Sequence, residues 1–189
     1  MCIRDRIKTI ATSIFISLLI ISCSDDDDVP EILNEEEVIT TLNLTLTPAD
    51  GGATVELSSR DLDGDGPNPP EITVENLTAN TVYNAVVEVL NEIEGEDITE
   101  EVAEEDDEHQ FFYQAVGDVS FTLEYNDADD DNNPLGIATT ITTGAPGSGN
   151  MVVVLRHLLD KFAEGVADGD ITNAGGDTDV EVSFPIVIE

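Results

Sequence analysis

The last stretch of the chain limits the fold most sharply: Val180, Val182, Phe184, Ile186 and Ile188 occupy every second position. A helix repeats every ~3.6 residues and cannot gather that pattern on one side, whereas a strand places alternate side chains on one face. The same period recurs upstream. Leu42, Leu44 and Leu46 alternate with Asn43, Thr45 and Thr47, and Val55 and Leu57 with Thr54, Glu56 and Ser58. Phe121, Leu123 and Tyr125 repeat it, as do Ile137 and Ile141 amid threonines. Further strands are expected over 71–76, 82–90, 110–116 and 151–156. Asp50-Gly51-Gly52 supplies a hairpin turn between the first two strands. About nine strands separated by turn signals specify an all-β chain folded as an antiparallel β-sandwich. Pro185 faces away from the alternating row, which marks the last strand as an edge. The clearest helix candidate is Glu96–Glu108, whose apolar content (Ile98, Val102, Ala103) suits a short acidic helix or a loop equally.

Charge narrows the partners. The chain carries 42 acidic and 6 basic residues. Removing a leader over 1–22, with Arg4, Asp5, Arg6 and Lys8, leaves 41 acids against Arg60, Arg156 and Lys161, a formal net of −38. Nucleic acid is excluded as a partner, because phosphate binding needs clustered Lys and Arg. An anionic membrane surface repels such a domain for the same reason.

Membrane attachment therefore rests on the N-terminus. Arg4, Arg6 and Lys8 form a positive n-region, and the largely apolar run Ile10–Ile21 ends at small Ser22. Its length suits an export signal and falls short of the ~20 residues that span a bilayer. Ile20-Ile21-Ser22-Cys23 resembles a bacterial lipobox, which implies diacylglyceryl attachment at the Cys23 thiol and cleavage before it. Several acyl chains together give stable anchoring, which a single chain does not. Cys2 falls in the leader, so the mature domain has neither a disulfide nor a nucleophilic thiol. We read 1–22 as lipoprotein signal peptide, 23–37 as lipidated Cys and acidic tether, and 38–189 as one β-sandwich domain. The tether's Asp25–Asp28 and Glu35–Glu37 suit a solvated spacer. They also resemble the surface-export signal of Bacteroidota lipoproteins. The layout as a whole is similar to small acidic outer-membrane lipoproteins of that group. That resemblance implies the outer membrane as location, at the cell surface or the periplasmic face, and includes Glu108–Phe112 and Asp170–Gly176.

A second resemblance is local. Leu77-Thr78-Ala79-Asn80-Thr81-Val82-Tyr83, entering the strand Asn84–Leu90, resembles the tyrosine corner of fibronectin type III domains. It implies an immunoglobulin/fibronectin III-like sandwich in which the Tyr83 hydroxyl bonds back to upstream backbone. The chain departs from that family in length, since some five strands follow.

Enzymatic motifs fail on their chemistry. Gly144–Gly149 has phosphate-loop spacing, but Asn150 and Met151 stand where Lys and Ser or Thr are required, and a strand follows instead of a helix; a hairpin loop is expected. No G-x-S-x-G elbow is present, and no Ser has an identifiable His partner. Carboxylates are too numerous to single out a glycosidase pair. Zero Trp leaves only Tyr83, Phe112, Tyr113 and Tyr125 as a weak sugar platform.

Cation binding is the remaining chemistry. Asp61-Leu62-Asp63-Gly64-Asp65-Gly66 matches the opening of a calcium loop, with Asp61, Asp63 and Asp65 as ligands, although position twelve is Ile72 and not Glu. Asp127, Asp129 and Asp131 form a weaker alternating set, and Asp168, Asp170, Asp177 and Asp179 flank a Gly-rich turn. Short Asp/Gly runs are also ordinary turn chemistry. With strands running up and down in order, the segments 61–70, 94–109, 127–135 and 157–177 share one end. His109 and His157 join them there, so a transition-metal site using both is the bolder expectation. The sequence thus points to a non-enzymatic, lipid-anchored binding or structural module, with a divalent cation (Ca2+ foremost) or an envelope protein as partner. The alternative is a small-ligand capture lipoprotein beside an outer-membrane uptake system, and a hydrolase comes a distant third.

Overall fold

A computed structural model describes residues 37–64 and 66–189. The leader, Cys23, the tether up to residue 36 and Asp65 lie outside the described residues. The elements run β1 (Thr41–Pro48), β2 (Val55–Arg60), β3 (Glu71–Val74), β4 (Val82–Asn91), β5 (Glu96–Asp97), α1 (Ile98–Glu104), β6 (His109–Gly117), β7 (Phe121–Tyr125), β8 (Ala138–Thr143), β9 (Gly147–His157) and β10 (Asp177–Ile188). One antiparallel sheet has the order β3-β2-β1-β4-β8-β7, with the two-residue β5 also on β4; the other is β10-β9-β6. The fold is an all-β sandwich.

The alternating rows meet between the sheets. Leu42, Leu44 and Leu46 of β1, Val87 and Val89 of β4, Phe111 of β6, Met151, Val153 and Leu155 of β9, and Phe184 and Ile186 of β10 form one buried core. Each such side chain contributes about 1.5–3 kcal/mol by leaving water. Tyr83, Phe112 and Tyr113 are buried in packing, so no aromatic platform forms from them. Edge placement of β10 agrees with Pro185, which lacks the N–H a central strand would need.

Helix α1 is shorter than the 96–108 window. Asp97 caps it by accepting from the Thr99 N–H at 3.0 Å, and it buries only Ile98 and Val102. Two buried side chains hold about two turns, and the acidic residues beyond them have nothing to pack against. Tyr83 is fully buried and its hydroxyl accepts from the Thr78 N–H at 2.9 Å, which fixes the chain as it enters β4.

One local expectation changes. Gly144–Gly149 is no hairpin loop: β8 and β9 belong to different sheets, so this stretch carries the chain across the sandwich. Its glycines allow backbones to meet. A Cβ on Gly147 would collide with the Asp118 carbonyl, and one on Gly149 with the Val116 carbonyl.

Strand register assigns the ends. Thr41 lies opposite both Arg60 and Leu90, and His109 opposite His157. The loop after β2, the β4–β6 connection and the β9–β10 connection therefore share a pole with the start of the described chain. The β7–β8 connection is tied to them through Lys161, whose ammonium donates to the carbonyls of Asp106 and Pro134. The tight turns around 49–52, 78–81, 116–118 and 144–146 lie at the opposite end.

Candidate metal centre

His109 and His157 are direct cross-strand partners on β6 and β9. Alternation puts His109 on the face of Phe111 and Tyr113, and His157 on the face of Leu155 and Val153, all in the core between the sheets. Both imidazoles thus extend an inward-facing apolar row to its rim at the loop-rich pole. Their exposures are 0% and 3%, and the rings stack with centroids 4.3 Å apart and planes 20° off parallel.

Two carboxylates complete the cluster. The β10–β9 ladder shifts between Thr178 and Val180, making Asp179 the extra residue of a β-bulge. Bulges re-aim side chains, and this one sends the Asp179 carboxylate to the histidines, against the parity of its strand. Glu37 comes from the other direction. Past it, Ile39 packs on the core, and Thr40 donates its N–H to the Leu90 carbonyl at 2.9 Å. His109 Nε2 lies 3.3 Å from Glu37 Oε1 and 3.7 Å from Asp179 Oδ2. His157 Nδ1 lies 3.7 Å from Glu37 Oε2 and 3.8 Å from Asp179 Oδ1. One donor atom from each residue falls within 4.8 Å of all the others, and the carboxylate side chains are only 4% and 1% exposed.

The outer ring nitrogens decide the tautomers. His109 Nδ1 sits 3.1 Å from the Glu105 carbonyl and His157 Nε2 sits 3.4 Å from Glu108 Oε2. Both oxygens only accept, so the neutral tautomer of each ring carries its proton on the outer nitrogen and has its inner nitrogen available to ligate. This is how metal-ligating histidines are oriented from behind. The inner His109 Nε2, His157 Nδ1 and Glu37 Oε2 are buried without a hydrogen bond.

Buried carboxylates need protons or a cation. Among the described residues the basic side chains have partners of their own. Arg60 pairs with Glu92, Lys161 with Asp129, and Arg156 donates to Thr178 Oγ1 and the Gly176 carbonyl. Protonating both rings inward would stack two imidazolium ions 4.3 Å apart. It would also leave contacts of 3.3–3.8 Å where charged hydrogen bonds prefer about 2.7–2.9 Å. A tetrahedral metal with bonds of ~2.0–2.1 Å has ligand–ligand edges of roughly 3.3–3.4 Å; one donor from each residue lies within 4.8 Å of the others, so the shell would contract around such an ion. Two imidazoles and two carboxylates suit zinc-class ions. Calcium instead takes about 6–8 oxygens at longer range.

The acidic loops are arranged otherwise. Asp61 Oδ1 accepts from the Asp63 N–H, and Asp63 Oδ2 accepts from the Asn68 amide, so both carboxylates serve the turn itself. Asp127 accepts from the Gly136 and Ala138 N–H groups at 2.6 Å each, closing the β7–β8 connection. Asp129 is buried against Lys161 Nζ at 3.2 Å, while Asp131 is exposed. Burial alone would raise the Asp129 carboxyl's pKa, yet the Asn133 and Lys161 hydrogen bonds hold it below the ordinary value. Among the described residues, groups of three or more donors close enough to share an ion are the four above and a more exposed set, Glu105, Glu108 and His157.

A cleft of about 530 Å³ opens beside the centre, lined by Glu37, Asn91, Glu94, Glu96, Ile98 and Glu101 among others. Burial and the charges of Glu37, Glu105 and Glu96 raise the Glu101 carboxyl. The field there favours positive charge.

Sequence reading had singled out the two histidines as a pair. It left Glu37 in the tether, and it saw Asp179 only as a flank of a Gly-rich turn. Comparison with protein-family models, curated proteins and solved structures finds no match to this chain.

Proposed function

We propose that this protein is a non-enzymatic, lipid-anchored module of the cell envelope that holds a zinc-class divalent ion at the loop-rich pole of its β-sandwich. One observation carries the reading: four inward-aimed donors, Glu37, His109, His157 and Asp179, each offer an atom within 4.8 Å of all the others in a buried cluster. Four protein ligands fill a tetrahedral shell, as in structural zinc sites, whereas catalytic sites keep a position open. Anchoring through Cys23 rests on the lipobox resemblance. No helix among the described residues is long and apolar enough to cross a membrane. Capture of a small cationic ligand beside an uptake system is a second reading, favoured by the glutamate-lined cleft.

The test is metal content and titration of the full-length chain with zinc, calcium and magnesium, beside His109→Ala and His157→Ala variants. One zinc bound per chain, lost in both variants and not displaced by millimolar calcium, is the expected result. Equal binding in the variants would sink the reading. For the anchor, Cys23→Ala should abolish labelled palmitate incorporation.

A further inference from the structure

Three of the four donors belong to one sheet: His109 on β6, His157 on β9 and Asp179 on β10. Glu37 does not. It sits four residues ahead of β1, a strand of the other sheet, on a segment without regular structure. It is also the one of the four donors that lines the acidic cleft, together with Glu94, Glu96 and Glu101. Its side chain is 4% exposed, and its Oε2 is buried without a hydrogen bond. Beyond it, Ile39 packs on the core and Thr40 bonds to Leu90 and Asp61.

We infer that Glu37 is the gate ligand of the centre: it closes the metal shell and fastens residues 37–40 to the three-stranded sheet, and its release opens the metal to the acidic cleft. This rests on the metal reading above and adds which ligand moves and by which route the ion enters. His109 and His157 are cross-strand partners and Asp179 sits in the bulge between paired residues, so the backbone of all three is held by the β6–β9–β10 sheet. Glu37 can swing away at the cost of a few local contacts. With a divalent ion bound, its carboxylate becomes a ligand and the segment is drawn in. The cleft glutamates concentrate cations at the mouth and raise the association rate.

The experiment uses the full-length chain with zinc alone as probe. Zinc association and transfer to a competing chelator are timed for wild type, Glu37→Gln and a Glu94→Gln/Glu96→Gln/Glu101→Gln variant, and amide exchange of residues 38–41 is followed with zinc and with chelator. Zinc should slow exchange at 38–41 in wild type. Glu37→Gln should still bind zinc, release it at least tenfold faster and lose that protection. The triple variant should bind zinc several-fold more slowly at low salt, with release unchanged. Release from Glu37→Gln at the wild-type rate overturns the gate while leaving the metal site standing, as does zinc-independent exchange at 38–41. Unchanged association in the triple variant removes the cleft as the route. A wild-type chain that binds no zinc removes both the site and its gate.

Discussion

Two buried polar clusters lie at the same pole of this sandwich, and they solve the problem of buried charge in opposite ways. Around Lys161, the ammonium meets Asp129 Oδ2 at 3.2 Å and donates to the carbonyls of Pro134 and Asp106, while Asn133 satisfies the rest of the Asp129 carboxylate. Positive and negative charge balance, and both side chains are nearly inaccessible. Around His109 and His157, two carboxylates and two inward ring nitrogens converge. The first cluster is complete as polypeptide. The second is where the proposed ion would be held. A surface rich in acid cannot by itself separate these cases; the pairing of each buried atom can.

The sharpest way to break the comparison is to unbalance the first cluster. Lys161→Met should leave Asp129 as an uncompensated buried charge and cost about 3–5 kcal/mol, read as a lower denaturant midpoint. Adding Asp129→Leu should recover much of that loss, because the pair would then be replaced by apolar atoms. A Lys161→Met protein of wild-type stability would mean that the pair is not buried as described.

Next in size is the effect of filling the second cluster. Zinc at about 100 times its dissociation constant should stabilise the fold by about 2.7 kcal/mol, since it binds the native chain alone. For a domain of this size that is a rise of roughly 5–10 °C in melting temperature. Calcium at the same concentration should give a much smaller shift, and His109→Ala should abolish the zinc response. Equal responses to calcium and zinc would move the binding site to the exposed acidic loops.

The sandwich was legible because period-two alternation states both the strand and its buried face, as in Leu42-Leu44-Leu46 and Val180–Ile188. The two histidines were legible in part. His109 shares parity with Phe111 and His157 with Leu155, so the same alternation that marks the core also aims both rings inward. Asp179 was not legible in this way. By parity with Val180 it should face away, and only the bulge between Thr178 and Val180 turns it in. Glu37 was hidden for another reason: in an acidic run, one carboxylate reads as solvated spacer, and its burial depends on a long-range approach to β6 and β9. At Asp61 and Asp63 the Asp–Gly spacing that can ligate calcium also forms turns, and both carboxylates accept within the turn.

Acid distinguishes buried from exposed pairing on a finer scale. The Asp129 carboxyl is held below its ordinary value by Asn133 and Lys161, against the opposing effect of burial. A carboxylate whose folded pKa lies below the unfolded one stabilises the fold in full above the ordinary carboxyl range, near pH 4. That contribution is lost as pH falls through the lower folded value. Wild type should therefore lose stability in acid more steeply than Asp129→Asn over that window, and parallel curves would remove the argument.

The smallest expected effect is the exposed counterpart, Arg60–Glu92, at 2.6 Å. Hydrogen bonds from Arg60 and then Thr41 lower the Glu92 carboxyl to about 2. The sign is the same, with stabilisation present above the ordinary Glu range and lost as pH falls toward about 2. Its size is not, because water and salt screen a pair at the surface. Glu92→Gln should hardly move the denaturant midpoint at moderate salt, and what difference exists should shrink further as salt is raised. The Lys161→Met loss should persist under the same salt, since ions do not reach that pair. Equal salt sensitivity in the two variants would erase the distinction between a charge balanced inside the fold and one balanced at its surface.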